Sequence, residues 1–315
     1  MVDVVIGLAP AILAAAIYFR ARALLLLAVC VLSCMAFEWI TGMIRRKPNS
    51  LGDASAVVTG IILAFSLPPH LPLWAAVIGS GISIIVGKVV FGGLGANTFN
   101  PAMVGRTFLA VSFGPLMTAW TVPATINAAM PAVSLQNTVD TRTQATPLSW
   151  SKTAIKSGED AKTYTEDQLF STVTGNVPGC LGETSAIALL LGGAYLLWRK
   201  TIGFHIPVAV LSSAFVFGGI AYLINPNAYV SPFFHLTSGA MLLGAFFIAT
   251  DPVTAPLTRR GMWLFGIGVG AITMLIRIVG EYPEGMMFAV LLMNAVTPLI
   301  DRLFRRIPAG GKPNA

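Results

Sequence analysis

Three groups of residues have the types and spacing that chemistry needs. The first is Thr143-Gln144-Ala145-Thr146, in the polar stretch VDTRTQATPLSWSK of an otherwise apolar chain. A threonine hydroxyl can carry an ester, but it is a poor nucleophile unaided, so covalent chemistry there needs an outside activating enzyme. Thr146 precedes Pro147, and the position before proline favours extended backbone, which would hold the hydroxyl out toward such an enzyme. Taken alone the tetrapeptide is weak, and an ordinary loop threonine is the plain alternative. The second group is FGGLGANTFNPAMVGR at 91–106, with four glycines and two asparagines between apolar runs. It is a tight break whose backbone can come close to another group, or merely a helix-packing turn. The third is a scatter of charges inside apolar segments: Glu38, Lys88, Arg106, Asp251 and Arg277. Such residues are costly in lipid and usually face a cavity, a partner or an ion path. For Lys88 and Arg277 the plainer expectation is snorkelling to the surface. For Glu38, structural pairing with a cation and a place on an ion route both stand open.

Several chemistries lack their residues. VGK at 86–88 has neither the spaced upstream glycine nor the following Ser or Thr of a phosphate-binding loop. GIGVG at 266–270 has no strand–helix unit around it and is no dinucleotide fingerprint. His70, His205 and His235 are scattered, and Cys30, Cys34 and Cys180 make no metal spacing. A hydrolase or an ATP-driven pump is not the expectation, and no metal site is assigned.

The elements that must position these residues are membrane helices. Of 315 residues 55% are hydrophobic and 10% charged, against about 25% charged in soluble domains. The solvent for most of this chain must be lipid. The first segment lacks a basic start and a small-residue cleavage site and reads as a retained helix. Ten apolar segments are predicted: 4–19, 23–44, 52–67, 72–92, 98–116, 183–198, 203–224, 232–250, 260–279 and 284–302. The third and eighth are short and end in proline, at Pro68 and Pro252. Such breaks are tolerated in a membrane where protein or water satisfies the freed backbone. With the N-terminus cytoplasmic, eleven Lys and Arg fall on the inner side, from Arg45 to Lys312, and only Arg20 and Arg22 in the short outer loops. That asymmetry puts both termini inside and the long connection 119–182 outside. It also accounts for the net charge of +7 without nucleic acid.

The two halves repeat weakly. Gly60 stands eight residues before Pro68, as Gly244 does before Pro252. Trp74 is followed by Gly79, Gly81, Lys88 and Phe99 at the offsets at which Trp263 is followed by Gly268, Gly270, Arg277 and Phe288. Five helices per copy is odd, so the second copy enters the membrane from the opposite side. The expected fold is therefore all-α and polytopic, an inverted 5+5 repeat with two short broken helices. Residues 1–118 form the first repeat, 119–182 an external loop and 183–315 the second repeat. In such folds the site of interest lies between the copies.

Together these stretches resemble a known family, the D subunits of the Rnf ferredoxin:NAD⁺ oxidoreductase complex. They are similar, more distantly, to the B subunits of the sodium-pumping NADH:quinone reductase. The resemblance covers nearly the whole chain and is carried by DASAVVTGIILAFSLPP (53–69), FGGLGANTFNPAMVGR (91–106), TQATPL (143–148) and GAFFIATDPVTAP (244–256). It implies a ten-helix inverted repeat and an FMN joined by its phosphate to a threonine hydroxyl, installed by a separate flavin transferase that uses FAD. By position that threonine is Thr146, with Thr143 and Ala145 as recognition context. Members often have Asp-Gly before the motif and a small residue inside it; here stand Asp140-Thr141 and Gln144. The resemblance extends to a noncovalent riboflavin in the membrane part, which no residue places from sequence. It implies electron transport between ferredoxin and NAD⁺ coupled to Na⁺ or H⁺ translocation across a bacterial inner membrane. The partners it implies are lipid and the C, G, A, E and B subunits of the complex, with little activity in this chain alone. Two readings from other classes remain: a redox-free solute transporter or channel on the same repeat, and a structural scaffold.

Overall fold

The computed structural model describes residues 1–46, 50–120, 146–157, 169–175, 177–183, 185–226, 229–280, 282 and 284–305. Thr143 and Ala145 lie outside these residues, as does most of the 119–182 connection. Among the described residues every regular element is helical. Helix is present in each of the ten predicted segments, but the lengths differ from the expectation. Four of the described helices are long and apolar enough to cross a membrane: Val2–Ile44, His205–Ile224, Arg259–Ile278 and Met286–Leu303. Ser55–Phe65, Leu73–Val89 and Ala186–Trp198 are shorter. Ser55–Phe65 has 11 residues, about 17 Å at 1.5 Å per residue, against a hydrocarbon core of about 30 Å. The apolar windows overran these helices because turn residues such as Phe91 and Phe113 are as oily as the helices themselves.

The first helix is two helices in one. Arg20, at φ 54° and ψ −142°, breaks it between the predicted segments. Beyond the break Arg22 donates to the carbonyls of Pro69 (3.2 Å) and Leu71 (3.1 Å). These carbonyls follow the proline pair that ends Ser55–Phe65. Arg22 counted against the charge asymmetry in the sequence; its side chain serves a structural end instead.

Lipid removes the hydrophobic drive between helices, so close approach at small residues must hold them. The glycines of the repeat make such approaches, and make them to corresponding partners. A Cβ on Gly79 would stand 2.5 Å from Leu109, on the helix Pro101–Ser112, and one on Gly268 2.6 Å from Met293, on Met286–Leu303. A Cβ on Gly81 would meet Phe37 in the second part of the first helix. One on Gly270 would stand 2.5 Å from the Val210 carbonyl of His205–Ile224. Each glycine thus faces, in its own half, the helix that occupies the same place in chain order. Large apolar side chains such as Leu13, Leu32, Leu223 and Leu303 point outward, while Ser80, Thr273 and Asn294 are buried, the distribution expected where lipid is the solvent.

Both broken helices end inside the protein. Ser55–Phe65 stops before Leu67-Pro68, and Met241–Leu243 runs on as a π-turn, Gly244–Ile248, before Asp251-Pro252. Between them lies Gly182, where a Cβ would stand 2.8 Å from Phe65 and 2.9 Å from Leu243. Asn100 Nδ2 reaches the Ile248 carbonyl at 3.4 Å. The two segments thus approach each other across a single glycine.

Candidate functional site

A cavity of about 180 Å³ opens between the halves. Val58, Thr59 and Ile62 come to it from one broken helix, Phe246 and Phe247 from the other, and Asp251 from the turn that follows. The glycine-rich turn supplies Asn97 and Asn100. Asn100 is positioned as the N-cap of Pro101–Ser112, its Oδ1 accepting from Met103 N–H at 3.3 Å. Asn97 is buried, and its Oδ1 has no hydrogen-bond partner among the described residues. A buried polar atom left unsatisfied is costly, so this oxygen marks a place where a ligand donor fits. Asp251 is held by Val253 N–H (3.2 Å) and the Thr254 hydroxyl (3.4 Å).

Thr146 lies elsewhere. It is 6% exposed and starts the helix Pro147–Ser157. Its hydroxyl accepts from Ser149 N–H at 3.1 Å. The hydroxyl therefore does not project, as the position before proline suggested, but caps a helix with proline at its first position. The helix is docked by Lys152, whose ammonium donates to the carbonyls of Ile276 (3.0 Å), Gly280 (2.6 Å) and Tyr282 (2.5 Å). Those carbonyls cluster at the end of Arg259–Ile278, where the helix dipole favours a cation. Beside Thr146 is a recess of about 10 Å³ lined by Thr172, Val177, Glu183, Ser238 and Gly239. Desolvation, and then the neighbouring Glu284 carboxylate, push the Glu183 carboxyl above the usual range.

The buried charges are paired rather than snorkelling. Lys88 and Arg277 are each 3% exposed. Lys88 Nζ lies 2.6 Å from Glu38 Oε1 and 2.5 Å from the Ser55 hydroxyl, at the start of the first broken helix. Arg277 donates to the carbonyls of His235 (2.6 Å) and Ser238 (3.0 Å) and to Glu284 Oε2 (2.9 Å). Glu284 in turn accepts from Ala240 N–H, just before the second broken helix, and from Met286 N–H at the start of the last helix. Each half thus sets a cation and a carboxylate at the head of its broken helix. Arg106 serves the other end of the first one. Its Nη1 donates to the Ser66 carbonyl and to Cys180 Sγ, and its Nε faces Met287 Sδ. Sequence reasoning missed Glu284 and Cys180. The signal for Glu284 was its place just ahead of an apolar run, where a carboxylate favours a helix start. Cys180 gave no signal beyond burial.

The family described as NQR2, RnfD, RnfE matches residues 1–310. The chain is 42% identical over 302 residues to the D subunit of the Na(+)-translocating ferredoxin:NAD(+) oxidoreductase complex of Acetobacterium woodii, covering 96% of this chain and 87% of that one. It is 38% identical over 331 residues to the D subunit of the ion-translocating oxidoreductase complex of Actinobacillus succinogenes, covering 98% and 93%. Identity is also 38%, over 322 residues, to the protein of that description from Salmonella paratyphi A, covering 96% and 91%.

Proposed function

Because the chain belongs to the NQR2, RnfD, RnfE family, we propose that it is the membrane electron-transfer subunit of an ion-translocating oxidoreductase complex, carrying FMN on Thr146. The relative from Acetobacterium woodii supports ferredoxin and NAD⁺ as the terminal redox partners and Na⁺ as a coupling ion; H⁺ is the alternative. The partners are the C, G, A, E and B subunits and, for maturation, a flavin transferase that recognises Thr143, Ala145 and Thr146. The chain is a 5+5 inverted repeat, supported by the corresponding glycine contacts and by the matched cation–carboxylate pairs at the two broken helices. Both termini lie on the cytoplasmic side of the bacterial inner membrane. A reporter fused after Lys312 is therefore expected to behave as cytoplasmic and one inserted at Gly158 as external; accessibility labelling checks this, and a shared side would exclude the topology.

The observation that carries the flavin reading is the Thr146 hydroxyl at the N-terminus of Pro147–Ser157. A phosphoester on that oxygen sits where unpaired helix N–H groups and the dipole favour an anion. The recess beside it has room for about one water, so the ring system extends away from it. Glu183 also lines that recess. A flavin, when bound, supplies one- and two-electron chemistry. The chain's own residues hold its phosphate at a helix end that Lys152 fixes against Arg259–Ile278. In-gel fluorescence after SDS denaturation, with mass spectrometry of the peptide spanning Thr143 to Lys152, tests the assignment. An unmodified peptide from cells that express the transferase would overturn it and leave the scaffold and transporter readings.

The noncovalent riboflavin belongs in the cavity between the halves, where Phe246, Phe247 and Ile62 give apolar walls and Asn97 Oδ1 awaits a donor. Asn97→Leu is expected to lower the flavin released on acid precipitation at least several-fold while leaving the SDS-resistant flavin unchanged. Equal release from both proteins would remove the cavity from consideration.

A further inference from the structure

Ser238 is engaged at every polar atom but one. Its N–H donates to the Phe234 carbonyl at 2.9 Å, and its own carbonyl accepts from Arg277 Nη2 at 3.0 Å. Its hydroxyl is buried and has no hydrogen-bond partner among the described residues. Ser238 lines the recess of about 10 Å³ beside Thr146. The other hydroxyls of that lining are engaged. Thr172 donates to the Leu169 carbonyl at 2.8 Å, and Thr146 accepts from Ser149 N–H. Glu183 Oε2 accepts from Cys180 N–H at 3.3 Å. A buried donor without an acceptor is costly, and in this recess the Ser238 hydroxyl is the one left over.

The turn that carries Ser238 is fitted to the helix that follows Thr146. Gly239 has φ 68°, and a Cβ there would stand 2.8 Å from Leu148 Cδ1. Ala240 then opens the second broken helix as the N-cap of Met241–Leu243. That helix runs on into Gly244–Ile248, whose Phe246 and Phe247 line the cavity between the halves.

We propose that Ser238 is a positioning residue for the flavin phosphate: its hydroxyl donates to a phosphate oxygen seated in the recess and so ties the flavin to the head of the second broken helix. The proposal rests on the assignment of FMN to Thr146. The ester there is a phosphodiester, with one negative charge and two free oxygens. The recess has room for about one water, which is also the size of one such oxygen. A hydrogen bond to a charged acceptor is about twice as strong as a neutral one. Glu183 on the same recess disfavours an anion, and the Ser238 donor opposes that repulsion. A single ordered water is the rival occupant; it would satisfy the hydroxyl whether or not flavin is attached.

The test uses the assembled, detergent-solubilised complex from cells with and without the flavin transferase. Hydrogen exchange is followed by mass spectrometry in the peptide spanning Leu236 to Ile248. In the wild type, flavin is expected to slow exchange there by about tenfold or more, the factor for one hydrogen bond to a charged group. Ser238→Ala is expected to keep its SDS-resistant fluorescence, because the ester oxygen belongs to Thr146, and to lose the slowing. Without flavin the variant should exchange no faster than the wild type, since the missing hydroxyl had no protein partner. Equal slowing in both proteins would overturn the proposal. So would faster exchange in Ser238→Ala irrespective of flavin, the result for a water-filled recess or a purely structural hydroxyl. Loss of SDS-resistant fluorescence from Ser238→Ala alone would also overturn it, by placing Ser238 in the attachment step. Absence of that fluorescence from the wild type would instead overturn the reading at Thr146.

Discussion

Thr146→Ala is expected to lose all SDS-resistant flavin fluorescence, while the protein still inserts and assembles. The alanine lacks the oxygen that the phosphoester needs. Ser149 offers no substitute at the cap, because it lies inside the helix and its N–H is what the Thr146 hydroxyl binds. The change also removes an N-cap, which costs about 1 kcal/mol of local stability. Two further variants separate these effects. Thr146→Ser keeps both the cap and the oxygen and is expected to retain part of the flavin. Thr146→Asn keeps a capping side chain but offers no hydroxyl, so it is expected to hold the helix and carry no flavin. Fluorescent protein from the asparagine variant would show that attachment lies elsewhere in the chain.

Arg277→Met is expected to be the most destabilising single change at the head of the second broken helix. The guanidinium satisfies two carbonyls and one carboxylate at once. Its loss leaves Glu284 as a buried charge without its cation, and breaking such a pair from one side costs about 3–5 kcal/mol. Glu284→Gln is expected to cost less, because no buried charge is left unpaired on the carboxylate side and its one amide oxygen can still accept from Ala240 N–H and from Arg277, although Met286 N–H, which binds the other oxygen, loses its acceptor. The double variant Arg277→Met/Glu284→Gln should recover part of the loss, since no unpaired charge remains. Thermal unfolding in detergent measures all three. A double variant as unstable as the sum of the singles would mean that the ion pair contributes no coupling.

How much of this was legible depended on what each residue must satisfy. The helical class followed from hydropathy, and the break near Arg20 from the polar residues between two apolar runs. The close-packing positions Gly79, Gly81, Gly268 and Gly270 were visible, because close packing in lipid admits few other residue types there. The charges were visible, but their partners were not. Lys88 meets Glu38 fifty residues away, and a sequence pattern carries no information about a contact of that range. For Lys88 and Arg277 the general habit of long basic side chains misled, because each had a carboxylate within reach. At Thr146 the position before proline was weighed for its backbone preference alone. The pair Thr-Pro is also the first pair of a helix, and the short amphipathic run after it was the neglected clue. Thr143 and Ala145 stay known from sequence only.

The end of Ser55–Phe65 carries a consequence for biogenesis. Its Ser66 carbonyl is met by Cys180, 114 residues further along, and Leu181 N–H closes on the Leu67 carbonyl at 3.2 Å. At a synthesis rate of about 5–20 residues per second, these partners emerge roughly 6–23 s after the residues they complete. For that interval the first half sits in the bilayer with a helix end that Arg106 must hold without Cys180 and Leu181. A nascent chain halted before Cys180 should therefore be more open to proteolysis near Pro68 than one halted just beyond Leu181.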